Sequence, residues 1–178
     1  MTLTFENVIF TCSSGFSCKN CGVCCRMQPP DVNIAEQKLI EKKGFRDFVD
    51  FVDEAGIRWV KRKDDGSCFF LTTQNQCSIY TVRPSVCRLE PFTITDFDPE
   101  KDKIELALNF PFSCCCQGVC DDGVVPIESI GKAAREVMKK ILELTAKEIS
   151  LPVNRKKVRY AARAKLLRRT VEAADLRA

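Results

Sequence analysis

Cys18, Cys21, Cys24 and Cys25 set four thiols in eight residues as the run C-x-x-C-x-x-C-C, a density that points to metal ligation. A C-x-x-C step lets the chain turn round an ion so that both sulfurs and the intervening amides face it. Two steps in series, as in Cys18, Cys21 and Cys24, have the spacing of a loop that gives three ligands to an iron–sulfur cubane and draws the fourth from afar. Zinc sites more often take one close pair from each of two loops. Cys25 has to point away from Cys24, so it reaches a second metal or the wall of the site.

The remaining cysteines are spread out. Cys12 precedes the run, Cys68 follows an Asp65-Gly66 turn, Cys77 precedes Ser-Ile-Tyr, and Cys87 lies in Arg83-Pro84-Ser85-Val86-Cys87-Arg88. Cys114, Cys115, Cys116 and Cys120 complete the twelve. The first four with Cys68, Cys77, Cys87 and one of the 114–116 group make eight thiolates, enough for two four-coordinate centres, whether cubanes or zinc ions. For any one isolated cysteine the plainer reading is a small core hydrophobe. A disulfide framework is the other alternative, but adjacent thiols need partners in divergent directions and disulfide geometry is narrow.

The chain contains no histidine. That excludes Ser-His and Cys-His catalytic pairs, Rieske centres, histidine-ligated haem and His-containing zinc fingers. Ligation is left to sulfur, with carboxylates as minor ligands, and such sites suit zinc and iron–sulfur clusters. Arg83 and Arg88 flank the single cysteines, where an arginine can offset thiolate charge and donate to sulfur. The plainer reading has Arg83 holding a turn or pairing with a carboxylate such as Glu90. Tyr80 reads as packing. No nucleophile–base arrangement is present, so no catalytic residue is assigned and enzymatic activity is left open.

The combination C-x-x-C-G-x-C-C at 18–25, G-x-C-F-F-L at 66–71, C-x-I-Y-x-x-R-P-x-x-C-R at 77–88 and Pro91-Phe92 resembles the CxxCxxCC (YkgJ-like) family of zinc- or iron-chelating domains. The match runs over residues 16–92, and Cys116-x-Gly118 is similar to the family's closing C-x-G element, although the triple cysteine is more than that element calls for. The resemblance implies the ligand set Cys18, Cys21, Cys24, Cys25, Cys68, Cys77, Cys87 and Cys116. A distant relative, flagellin lysine-N-methylase, joins a similar module with a [4Fe-4S] cluster to S-adenosylmethionine-dependent lysine methylation. This chain has no Gly-rich nucleotide loop after a strand, so that activity is the least favoured reading.

The elements that must position these thiols are short. With 178 residues, 45% apolar and 29% charged, the chain is one ordinary domain in size and composition. No run approaches the roughly 20 apolar residues of a membrane helix, and the start lacks a secretory pattern, so a cytoplasmic protein is expected. Leu3, Phe5, Val8 and Phe10 predict an extended segment, and Pro29-Pro30 closes the ligand loop. A helix is expected from Asn33 to near Gly44, a second over Phe48, Val49 and Val52, then strands over Ile57–Lys63, Cys68–Leu71 and Lys103–Phe110. Pro126 starts a helix with Ile130, Ala134, Val137, Met138, Ile141, Leu142 and Thr145 on one face, and Asn154 caps another. No internal repeat is evident.

All twelve cysteines lie within residues 12–120, and charge divides there too. Residues 1–120 carry 14 Lys/Arg against 16 Asp/Glu, residues 121–178 carry 14 against 8. The expected organisation is α+β: a metal-stapled cysteine-rich module over 1–120 and a basic helical segment over 121–178 packed on it. The expected function is a thiolate-ligated metal protein, with one or two [4Fe-4S] clusters favoured over zinc, serving electron transfer or a larger enzyme. The alternative is a structural zinc module whose basic C-terminal helices dock a protein partner. Nucleic acid is a weaker choice, since Tyr160 is the one stacking aromatic in the tail.

Overall fold

The computed structural model describes residues 7–12, 14–27, 29–52, 56–98, 100–109, 115–120 and 123–149. Along them run β1 (Asn7–Phe10), β2 (Gly15–Phe16), α1 (Val23–Met27), β3 (Asp31–Val32), α2 (Ile34–Lys42), β4 (Val49–Val52) and β5 (Arg58–Val60). A 3-10 turn (Tyr80–Val82), α3 (Ser85–Leu89), β6 (Phe92–Asp98), β7 (Lys103–Leu108), β8 (Val119–Cys120) and α4 (Ile127–Ile149) follow. The fold is α+β. Leu3, Phe5, Phe110, Cys114, the side chain of Thr145 and the helix expected from Asn154 lie outside the described residues.

One core is built by a sheet and a long helix. β7 alternates as its sequence requires, burying Ile104 and Leu106, and it pairs with β1 in parallel and with β6 antiparallel. β6 buries Phe92 and Ile94, then slips phase at a bulge between Ile94 and Asp96 and buries Phe97. That slip breaks strict alternation, and the periodicity of the sequence assigns no element to 92–98. α4 opens just after Pro126 and lays Ile130, Ala133, Ala134, Val137, Met138 and Ile141 on the sheet, a stripe at three- and four-residue spacing.

A second core lies under the three-stranded sheet β3-β5-β4, where Val32, Ile40, Phe48, Val60, Phe70 and Ile79 pack with Cys68. α2 starts where the sequence expects a helix, and Asn33 caps it. Asn33 accepts from the Glu36 amide at 2.8 Å and the Glu36 carboxylate accepts from the Asn33 amide at 2.9 Å, which is a capping box.

Two expectations fail here. Residues 49–52 form strand β4, not a helix. Phe48, Val49 and Val52 have helical spacing, but the segment is short and rich in β-branched and aromatic residues, and Asp47 enters it at φ 54°. Residues 68–71 are not a strand either. Cys68 bridges Arg62 and Leu71 bridges Cys77, each in isolation, and between them the Leu71 amide donates to the Cys68 carbonyl at 3.0 Å in a tight turn.

Glu36 joins the two cores. Its Oε1 accepts from the amide and the hydroxyl of Ser85 at the start of α3, both at 2.8 Å, and its Oε2 lies 2.7 Å from Nζ of Lys140 on α4. Asp31 of β3 is 3.7 Å from the same ammonium. All three charges are nearly enclosed. Burial alone raises the Glu36 pKa, but Lys140 and the amides of Asn33 and Ser85 outweigh it and hold the carboxyl below its usual range.

Glu36→Gln should therefore cost about 3–5 kcal/mol in urea unfolding at neutral pH, because it strands a buried lysine. A carboxyl depressed in the folded state contributes above the ordinary glutamate pKa of about 4.3 and loses that contribution as pH falls through its folded value. The gap between wild type and variant should narrow with acidification below about pH 4; a gap constant with pH would contradict the assignment.

Candidate metal centre

The run 18–27 is held in place at three points. On its N-terminal side β2 pairs antiparallel with β8, Gly15 opposite Cys120 and Phe16 opposite Val119, and the Ser17 amide donates to the Gly118 carbonyl at 2.9 Å. That pairing carries Cys116 to the start of the run. A Cβ on Gly118 would collide with the Ser17 carbonyl, so the C-x-G element needs glycine for this approach. In the middle, Gly22 turns at φ 76°, and a Cβ there would meet Leu71 and the Asn75 carbonyl at 2.9 Å. At the far end the Cys68 amide donates to the Cys25 carbonyl at 2.7 Å.

Cys68 and Cys77 arrive by a repeated backbone motif that the sequence does not advertise. The Lys63 amide donates to Ser67 and the Gly66 amide to Lys63; nine residues later Thr72 donates to Gln76 and Asn75 to Thr72. Gly66 at φ 78° and Asn75 at φ 60° occupy the same left-handed position. Each loop ends two residues on in a cysteine, whose carbonyl then accepts from Leu71 or Tyr80. The repeat presents the two thiols alike. Asn20, also left-handed at φ 51°, ties the second loop to the run by accepting from the Cys77 amide at 3.2 Å. Arg26 adds a side-chain bond to Asn75.

These constraints sort the eight expected ligands into two groups. The Cys25 thiol is hydrogen-bonded to the sulfurs of both Cys24 and Cys77, so it does not point away from Cys24 as expected from their adjacency, and Cys68 and Cys87 lie within electrostatic reach of that trio. Cys116 is electrostatically linked to Cys21 and Cys18 instead. Cys25, Cys68 and Cys77 belong to the second core; Cys18 and Cys116 pack against the first. The thiols thus occupy the seam between the two cores. They are neighbours and not a finished shell: among the described residues, no three Cys, Asp or Glu side chains converge on a point that could take an ion. Cys12 also packs on the first core, Cys115 is exposed, and Cys120 lies in β8.

Arg83 is the cation of the site. Its Nη1 donates to the Cys18 sulfur at 3.6 Å and its guanidinium sits 4.1 Å from the centre of the Tyr80 ring. Burial works against the Cys18 thiolate, but hydrogen bonds from Tyr80, the Asn20 amide and Arg83 outweigh it and lower the pKa. Arg83 also lowers Cys24 and Cys77 by its charge. It therefore binds sulfur and does not pair with Glu90, and Tyr80 does more than pack. Arg88 turns the other way, to an ion pair with Glu136 on α4.

The donor that Cys25 provides brings the Cys24 and Cys77 pKa values down to about 7, while Cys25 itself is pushed far up by sharing its proton with both. Burial lifts Cys68 to about 11 and Cys87 well above the ordinary thiol value, and raises Cys116 as well. Burial beside Cys24 also lifts the Glu90 carboxyl to about 8. The donor set fits a thiolate-bound metal. Sulfurs are gathered from five chain segments; Cys24 and Cys77 are poised to ionise near neutrality, while Cys68, Cys87 and Cys116 need a cation's help to do so.

Eight neighbouring, largely half-buried cysteines with one arginine among them have the chemistry of a thiol-rich metal-binding protein. Residues 17–116, more than half of the chain, match the family CxxCxxCC, described as "Putative zinc- or iron-chelating domain", and the chain belongs to that family. It is 29% identical over 124 residues to the uncharacterized protein MJ0661 of Methanocaldococcus jannaschii, a stretch covering 64% of this chain and 63% of that relative. No solved structure matches the chain.

In reduced, metal-free protein, alkylation of Cys24 and Cys77 by iodoacetamide should rise steeply through about pH 7, whereas Cys68 should stay unreactive to far higher pH. Site-resolved mass spectrometry reads this directly, and equal rates at all three would contradict the electrostatic picture. Gly22→Ala should cost roughly 1–3 kcal/mol in chemical unfolding, since it forces a left-handed alanine against Leu71 and Asn75; an unchanged midpoint would dispose of the close approach.

Proposed function

We propose that the chain binds one metal ion through thiolates of the Cys24, Cys25, Cys68, Cys77 and Cys87 group, and that the ion is zinc acting as a structural tie. The observation that carries this reading is the contact of the Cys25 thiol with both the Cys24 and the Cys77 sulfur. Thiols within hydrogen-bonding reach of one another suit ligands of one tetrahedral ion, with metal–sulfur bonds of about 2.3 Å, better than ligands on separate corners of a cubane. A structural ion here would join loops from both cores and stand in for apolar packing that short strands do not supply. In this reading the basic tail serves partner recognition, a part supported by composition alone.

A [4Fe-4S] cluster in an electron-transfer or accessory protein is the second reading, and the series Cys18-x-x-Cys21-x-x-Cys24 favours it. Such a cluster supplies one-electron chemistry; Arg83, donating to Cys18, would offset its negative charge. Cys116 is the fourth thiol beside Cys18 and Cys21 on that side of the seam.

Metal analysis of protein purified without oxygen decides between them. Zinc near one per chain in a colourless preparation is expected, with Cys77→Ser losing it. A brown preparation containing iron and sulfide would install the cluster reading instead, and protein free of bound metal would overturn both.

A further inference from the structure

We propose that Glu90 is an oxygen ligand of this metal centre, set beside Cys24 and Cys87 and making the shell a mixed sulfur–oxygen one. The proposal rests on the metal-binding reading above and adds a residue that the cysteine pattern does not contain. Glu90 caps α3, its amide donating to the Val86 carbonyl at 3.3 Å, and it stands three residues after Cys87. On a helical turn that spacing brings two side chains to neighbouring positions on one face. The carboxyl is in electrostatic contact with Cys87 and with Cys24 of the 18–25 run.

Its bonding is incomplete. Oε2 is closed off from solvent and has no hydrogen-bond donor, while the Asn109 side chain is bonded to the carboxyl group. A buried carboxyl oxygen without a partner is costly to ionise, and a bound cation offsets that cost. The protein's nearby cations are committed elsewhere: Arg83 donates to Cys18 and covers Tyr80, and Arg88 pairs with Glu136. A metal ion between Cys24 and Cys87 would satisfy Oε2, and Asn109 would then orient the carboxylate as an outer partner does for a ligating group. Zinc and iron both accept a carboxylate oxygen among sulfur ligands. An oxygen ligand is also the one most readily exchanged, so a mixed shell has a position through which an incoming thiolate or water could enter.

X-ray absorption at the metal edge of the metal-loaded full chain, with competition against a chromophoric chelator, tests this. Wild type should show sulfur scatterers plus one oxygen at about 2.0–2.2 Å. Glu90→Gln, with circular dichroism confirming its fold, should show that oxygen lengthened or lost and bind the metal at least about tenfold more weakly, while Glu100→Gln on the surface leaves both unchanged. An all-sulfur shell in wild type, or an oxygen and an affinity unaltered in Glu90→Gln, would overturn the assignment while leaving thiolate binding intact. A wild-type chain that holds no metal would overturn both.

Discussion

Crowded thiols shut away from water cannot all ionise together, and this is the constraint around which the structure is arranged. Burial raises Cys87 and Cys68 most, and the charges of Cys24, Cys68 and Cys77 on Cys87, and of Cys77 and Cys24 on Cys68, add to it. The protein answers with one guanidinium, Arg83, and one shared proton on Cys25, and these suffice for only part of the charge. A divalent metal is the natural remaining cation, since it replaces several protons at once and is bound by thiolates and not by thiols.

Because the sulfurs sit at the seam of two cores, the same constraint shapes the fold. Each core has its own sheet, and the chain segments that deliver cysteines are turns, two-residue strands and the five-residue helices α1 and α3. They are placed by backbone contacts that tolerate no side chain, at Gly22 and Gly118, and by left-handed residues at Asn20, Gly66 and Asn75. The Glu36–Lys140–Asp31 cluster, tied to Ser85, fixes α2, α3 and α4 relative to one another. α3 thus carries Cys87 on an element braced by a buried ion pair.

Much of this was legible in the sequence where one residue type has one job. The start of α2 at Asn33, the apolar stripe of α4, the alternation of β7 and the Asp65-Gly66 turn follow from local pattern. The misreadings occur where tertiary pairing decides. Val49–Val52 carries helical spacing that its pairing with β5 overrides, and 92–98 hides its alternation behind a bulge. The cysteine run announced a metal because four thiols in eight residues have few other uses. Its division into two groups was not legible, since it depends on which loops meet. The nine-residue repeat behind Cys68 and Cys77 was hidden because Gly66 and Asn75, unlike in chemistry, serve the same left-handed turn. Glu90 gave no signal: a lone glutamate near a cysteine is ordinary until its second oxygen is seen without a donor.

The central claim is that metal binding locks the two cores together through their cysteine loops. Hydrogen–deuterium exchange of the full chain, with and without stoichiometric metal, measures that locking directly. Protection should rise together in residues 18–27, 68–77 and 85–90, with little change in β6, β7 or the middle of α4. Protection confined to a single one of these loops, or metal bound with no change in any of them, would contradict the account.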